Sequence, residues 1–492
     1  MKPLYLFGLC FFILANNCLL AQERPDSVFS ATLNEQRYLQ VYLPHDYDTT
    51  KRYDVLYVLD GEMLVRFVPP VVAFEEENEL MPPVIIVGIK NNYWYNIGQD
   101  SRERDLLPAN AADKFLNFIG KELVPYVNQH YATSGSNILF GHSYAGLFVV
   151  YSFLTQTSLF NHYIASDPSL WWNDGAVLQL ARQRLPQMRD TSTLFAGGRN
   201  GAIGESFGIS DFDSLLTKMS PQIRRQVVFN EDEHHGSVRL KNMYDGLKFT
   251  YFGYSSFMLD FFPMGGIIQP HDAIPVYLYS TYLNINPGIR YTTDGTVPTM
   301  HSPRYDYGLK VKAPSVLMLK QFSNYGPDKT ASARFSIGKM FPAEKIEGLQ
   351  PGGMNYQCYQ DSAGERRLLA SGLLVKDFQP PFKVAGHVIC DETGWFKADK
   401  TGYYTVLLEA GTSCSLSVDK QLLISIDAAK DGLSSKSFAV PLAAGYHRIA
   451  LEFLCKEKDN NISLSMLRPP KVPSLAHLPE ALLLKDVYYS TH

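Results

Sequence analysis

The chain has 492 residues, too many for one ordinary hydrophobic core, so two or three domains are expected. Its composition, 46% hydrophobic and 13% aromatic, excludes a disordered chain. A net charge of −4 with both signs dispersed leaves no basic stripe, which argues against a nucleic-acid partner.

At the N-terminus, Lys2, an apolar run from Leu4 to Leu20 and the small Ala21 read as a secretory signal peptide over 1–21, cut before Gln22. The mature chain is then exported, to the periplasm or beyond, and no later apolar run is long enough to span a membrane. Cys18 stands where a lipoprotein signal could end, but Asn16 and Asn17 occupy positions where such a signal wants small residues. The four cysteines outside the signal, Cys358, Cys390, Cys414 and Cys455, all fall in the last third. In an oxidising compartment they can form up to two disulfides in three possible pairings, or remain core thiols.

From Val28 to about Phe252, short apolar runs alternate with helical stretches, the pattern of a parallel sheet between helices. Strands are predicted at Tyr38–Leu43, Val55–Leu59, Val84–Ile89, Ile138–Phe140, Tyr163–Ala165, Leu194–Ala196 and Val227–Phe229. Phe115, Phe118, Ile119 and Leu123 give a helix over Ala112–Val127 one buried face. After Asp260 the helical period ends, and a linker from Phe261 to Gly266 leads into two turn-rich segments, 266–338 and 347–468, that read as β-sandwiches. A tail over 469–492 is expected to hold one short helix near Pro479 to Lys485.

The chemistry concentrates at Ile138-Leu139-Phe140-Gly141-His142-Ser143-Tyr144-Ala145-Gly146, an apolar strand running through a small-residue turn into an apolar helix. A nucleophile elbow needs this context, because only small neighbours let the backbone turn so sharply at the serine. Ala145 stands where a glycine is usual, making the motif G-x-S-x-A. A serine needs an imidazole to activate it, and either His234 or His235 could serve, since both follow the last predicted strand. The third member is expected after the Leu194–Ala196 strand, where Glu205, Asp211 and Asp213 are candidates and Glu205 lies nearest the strand end. For the oxyanion hole the expected N–H donors are Tyr144, next to the nucleophile, and Gly61 or Glu62, on the loop after Leu59-Asp60. No clustered His, Cys or acidic set near the elbow implies a metal, and no cofactor is expected.

The segment from about Arg37 to Phe252 resembles the putative-esterase family of α/β-hydrolases, which includes esterase D-like, feruloyl, acetyl-xylan and siderophore trilactone esterases. Six ordered motifs carry the likeness: Tyr57-Val58-Leu59-Asp60-Gly61, Val87-Gly88-Ile89, Arg104-Asp105-Leu106-Leu107-Pro108, Gly141-His142-Ser143-Tyr144, Pro168-Ser169-Leu170-Trp171-Trp172 and His235-Gly236-Ser237-Val238. The resemblance implies an α/β-hydrolase domain over 22–258, with Ser143 as nucleophile and His235, not His234, as base. It places Arg104, Trp171, Trp172 and His142 around the substrate. Ala145 departs from the family pattern, as does Asp167, which precedes Pro168 where related sequences often have serine.

Around Tyr291-Thr292-Thr293-Asp294-Gly295-Thr296 the middle segment is similar to the immunoglobulin-like C-terminal domain of chitobiases and β-hexosaminidases. The last segment resembles the protective-antigen-type β-sandwich through Thr401-Gly402-Tyr403-Tyr404-Thr405-Val406 and Ala444-Gly445-Tyr446-His447-Arg448-Ile449. The expected architecture is thus an α/β-hydrolase domain followed by two all-β sandwich domains. The function this implies is an exported serine ester hydrolase working through an acyl-enzyme on an acylated carbohydrate, such as a feruloyl or acetyl ester. A siderophore trilactone esterase is the nearest alternative. An acyltransferase, or a silent glycan-binding protein on a hydrolase scaffold, would use the same chain differently.

Overall fold

The computed structural model describes residues 22–91, 101–189, 192–254, 259, 261–278, 288–362, 365–375, 378, 388–431, 434–455, 461–469 and 480–491. The signal peptide expected over 1–21 lies outside them. The chain divides into two compact units, Met1–Tyr254 and Ser255–His492.

In the first unit the strands are β1 (Gln22–Ser30), β2 (Glu35–Leu43), β3 (Tyr53–Val58), β4 (Val84–Ile89), β5 (Thr133–His142), β6 (His162–Ser166), β7 (Thr193–Arg199) and β8 (Arg225–Asn230). The helices are α1 (Gly61–Leu64), α2 (Val68–Glu77), α3 (Ser101–Leu106), α4 (Ala112–Phe118), α5 (Val124–His130), α6 (Tyr144–Thr155), α7 (Trp172–Arg184), α8 (Gly201–Glu205), α9 (Ile209–Met219) and α10 (Val238–Thr250). The strands form one sheet in the order β1-β2-β4-β3-β5-β6-β7-β8. From β4 to β8 all neighbours are parallel, while β2 runs against both β1 and β4.

The continuous apolar runs explain the middle of this sheet, since β3 and β4 are buried at every position, as strands covered by helices on both faces must be. The seven predicted strands coincide with β2 to β8 to within a few residues. β1 is an addition, and its Pro25 and alternating charges suit an edge strand that pairs on one side only. The helix predicted over Ala112–Val127 runs on to His130 as α4, a π turn at Ile119–Leu123, and α5. Pro125 has no N–H to give the carbonyl of Lys121, which is where the regular ladder gives way. Because β3, β5, β6, β7 and β8 are parallel, the loops after them emerge at one edge of the sheet, and these loops carry the candidate residues.

The second unit is built of strands. Gly265–Ile268 pairs in parallel with Lys329–Ile337 and meets Ser434–Leu442 at Gly266 opposite Ala439. One eight-stranded sheet therefore runs through both stretches expected as separate sandwiches. The cores stay distinct: one is built mainly from Met354 to Val487, the other mainly from Leu259 to Phe335. In place of the helix expected near Pro479 to Lys485, Glu480–Ala481 is a strand and Leu484–Asp486 a 3₁₀ turn, and residues 471–479 lie outside the described residues. Of the possible cysteine pairings, Cys358–Cys390 is bonded across neighbouring strands, whereas Cys414 and Cys455 are buried thiols.

His447 is a buried charge site in this unit. Its Nδ1 lies 2.6 Å from Asp419 Oδ2 and its Nε2 2.8 Å from the Ala443 carbonyl. Burial pulls the His447 pKa down, but the bonds to Asp419 and Ala443 outweigh it and the net shift is upward. A raised folded-state pKa stabilises the unit fully below the unfolded value, and that contribution is lost as pH rises through the folded one. Calorimetry of the full chain should therefore show the strand-rich unit melting lower as pH rises above neutrality. Asp419→Asn keeps an acceptor at this left-handed position (φ 48°) but removes the charge, and should flatten that pH dependence.

Candidate active site

At the end of β5 the chain turns through Ser143 with φ 63° and ψ −119°, and α6 begins at Tyr144. A non-glycine residue held there is strained by roughly 1–3 kcal/mol and persists only where its surroundings fix it. They do so here: Ser143 N–H donates to the Ser166 carbonyl at 3.0 Å. A Cβ on Gly141 would stand 2.4 Å from the Ala145 carbonyl oxygen, and one on Gly146 would stand 2.8 Å from the Ser166 carbonyl oxygen. Position 146, rather than 145, is thus the second place that needs glycine, and Ala145 fits fully buried.

His235 follows β8 and lines one cavity of about 800 Å³ together with Ser143 and His142. Its Nδ1 lies 2.6 Å from Asp167 Oδ2, so Nδ1–H donates to the carboxylate and Nε2 is left to accept a proton. The ring is packed between His142, at 4.5 Å between centroids, and Phe207, at 5.4 Å. Burial, with the charges of His235, Arg239 and Arg102 adding to it, holds the His142 pKa well below the usual histidine range. A neutral His142 packs against the base without opposing its protonation. Its Nδ1 lies 3.1 Å from Ser166 Oγ, which in turn accepts from Asn242 at 3.1 Å.

The carboxylate beside the histidine is Asp167, not Glu205. Asp167 directly follows β6, is fully buried, and is held at φ 41° with its N–H donating to the Gly197 carbonyl. Arg199 Nε donates to the same Oδ2 at 2.6 Å, and its guanidinium lies 4.7 Å from the Phe207 ring centroid. Glu205 ends α8 exposed to solvent, because α8 folds back on the end of β7: a Cβ on Gly204 would meet the Arg199 carbonyl oxygen at 1.8 Å. Asp211 is exposed in the first turn of α9, and Asp213 pairs with Arg225 at 3.4 Å. His234 is exposed, and its Nδ1 accepts the N–H groups of Gly236 and Ser237 within its own turn.

The remaining expected residues divide. Tyr144 opens α6, while Gly61 and Glu62 open α1, whose first N–H groups have no carbonyl within their own helix. Gly61 passes so close to β4 that a Cβ would lie 2.7 Å from the Gly88 carbonyl carbon. The Glu62 carboxylate accepts the Asn91 N–H at 3.1 Å. Arg104 does not face the cavity. It pairs with Glu35 at 2.6 Å and Asp105 at 2.7 Å, whereas Arg102 lines the cavity and is held by Asp60 at 2.9 Å. Trp172 packs on the core, and Trp171, 48% exposed, lies near Tyr144 and Phe207. Among the described residues, no group of three or more His, Cys, Asp or Glu side chains is placed to hold a metal ion.

A serine on a strained elbow, at the carboxyl edge of a mainly parallel sheet, with a carboxylate-bound histidine in the same cavity, is the arrangement that serine hydrolases of the α/β-hydrolase fold use. Residues 30–215 match the family described as putative esterase. It is 41% identical over 76 residues to the siderophore enterobactin esterase of Emericella nidulans, covering 15% of this chain and 25% of the relative. With the ferri-bacillibactin esterase of Bacillus subtilis it shares 27% identity over 173 residues, 30% of this chain and 58% of the relative. These matches span between 25% and 58% of the relatives' own length. An IroE-like serine hydrolase from Shewanella oneidensis superposes with a TM-score of 0.43 at 27% identity, over 48% of this chain and 82% of that one.

If Asp167 orients and stabilises the imidazole, Asp167→Asn should slow fluorophosphonate labelling of Ser143 by roughly 10²–10⁴-fold. Glu205→Gln should label at the wild-type rate. Equal rates for wild type and Asp167→Asn would remove Asp167 from the site.

Proposed function

We propose that the chain is an exported serine esterase that opens an anionic siderophore ester. The observation that carries this reading is the charge around the nucleophile. Arg66, Arg239 and Lys241 line the cavity with no carboxylate within salt-bridge distance among the described residues, and Glu233 is the one acidic side chain in the lining. Arg102 adds a fourth cation, offset by Asp60. Such a field raises the local concentration of an anionic ester and gives little to a neutral acetylated or feruloylated sugar. The names of the siderophore-esterase relatives point the same way, so this substrate takes precedence over an acylated carbohydrate. The Cys358–Cys390 disulfide supports an oxidising location outside the cytoplasm.

In the mechanism, His235 Nε2 takes the proton of Ser143 Oγ as the oxygen attacks the ester carbonyl. Asp167 holds the imidazole and balances the charge it gains. The N–H of Tyr144, with that of Gly61 or Glu62, receives the oxyanion. Collapse expels the alcohol, which leaves with the proton from His235, and the acyl group remains on Ser143. Water, deprotonated by the same imidazole, then releases the acid.

The test is hydrolysis of a hydroxyaryl siderophore ester beside p-nitrophenyl acetate at rising salt. Wild type should release hydroxyaryl acid, with kcat/KM for the anionic ester falling as ionic strength rises and that for the neutral ester holding steady. Ser143→Ala should release none. Cleavage of feruloylated or acetylated glycan, with the siderophore ester untouched, would overturn the substrate assignment.

A further inference from the structure

The cavity at Ser143 does not end at its cationic rim. An apolar groove of about 360 Å³ lies between α2 and α10, and it shares Arg66, Phe67 and Leu240 with the cavity as common walls. Pro70 and Phe74 face it from α2, Leu240 and Tyr244 from α10; each pair is four residues apart and so lies on one face of its helix. Phe74 and Leu240 are 53% and 52% exposed, so the groove leaves large apolar side chains in water. The Phe74 and Tyr244 rings stand 6.2 Å apart, tilted at 53°. Cations flank the aromatic walls, with Arg239 at 5.7 Å from the Phe67 centroid and Lys248 Nζ at 4.9 Å from that of Tyr244.

We propose that this groove is a second subsite, which holds an aryl arm of the same ester whose scissile bond lies at Ser143. The proposal rests on the esterase reading above and adds where the substrate extends. Flat rings with an anionic oxygen suit the site best, because aromatic walls offer offset and edge contacts to a ring while the flanking cations meet its oxygen. A sugar could lay a C–H face on these rings but brings no anionic oxygen to the flanking Arg239 and Lys248. The groove therefore selects esters that carry an aryl group some distance from the bond being cut.

Two esters with the same scissile bond separate this subsite from the chemistry: the linear dimer of N-salicyloylserine, which carries aryl arms, and that of N-acetylserine, which does not. Wild type should prefer the aryl ester, and the double variant Phe74→Gln/Tyr244→Gln should lower the ratio of the two kcat/KM values about tenfold. An unaltered ratio overturns the proposal. Binding of the N-salicyloylserine dimer to Ser143→Ala, with and without Phe74→Gln, reads the groove without turnover. Weaker binding by Ser143→Ala/Phe74→Gln than by Ser143→Ala supports the subsite, and equal affinity overturns it. Should wild type hydrolyse neither ester and take no fluorophosphonate, the esterase reading falls, and the binding comparison alone decides the groove.

Discussion

The left-handed turn at Ser143 is the constraint on which the rest of the site depends. A side chain at φ 63° stays there only because β5 is gripped between β3 and β6 and because its own N–H is tied to Ser166 at the end of β6. That tie has a consequence for the acid. With the end of β6 pressed against the elbow, close enough that Gly146 admits no Cβ, the next residue, Asp167, is also forced to positive φ. Its N–H crosses to Gly197 on β7, and its carboxylate is held for His235. Nucleophile and acid are thus placed by one strand junction.

Charge is handled in two ways in the hydrolase unit. Three buried carboxylates are paired with cations, Asp60 with Arg102, Asp105 with Arg37 and Arg104, and Asp167 with Arg199 and His235, whereas Glu75 is buried without a hydrogen-bond partner among the described residues and burial pushes its pKa up to about 9. The Glu35 carboxyl, bonded first to Arg104, is held below the usual range by that network against its own partial burial. Arg66, Arg239 and Lys241 stand outside this pairing, and all three face the cavity. The scaffold therefore neutralises its interior and leaves positive charge where a substrate enters. Arg102 and Arg104 show how fine the division is. Two residues apart on α3, they point to different sides of the helix, one toward Ser143 and the other into the Glu35 pair.

What could be read from the sequence tracks how local each feature is. The elbow is a run of adjacent residues, and its strand, turn and helix all show in the alternation of apolar and small side chains from Ile138 to Phe148. His235 directly follows a strand, so its neighbourhood was legible, although choosing it over His234 needed the family likeness. Arg104 was placed at the substrate by the family likeness alone, and in the six-residue α3 it is Arg102 that lines the cavity. In the tail, short strands were visible, but their partners were not. Gly266 meets Ala439, a pairing of residues far apart in the chain, and pairings of that kind decide that one sheet runs through both stretches.

Asp167 is the instructive case, because its signal was in plain view as a departure from the family pattern. It stands 68 residues from the histidine it holds, and the chain-order rule pointed one strand later, to the loop after β7. The end of β7 does contribute, but through Arg199, its last residue, which binds the carboxylate delivered by β6. Exchanging serine for aspartate before Pro168 introduces a buried negative charge, and such a charge is tolerated only if a cation and a hydrogen-bond donor are already within reach. Arg199 and His235 are those two groups. A buried acid at a strand end therefore carries its own test: it belongs to the site when the residues that neutralise it line the same cavity or pack against the same ring, as His235 and Arg199 do through Phe207.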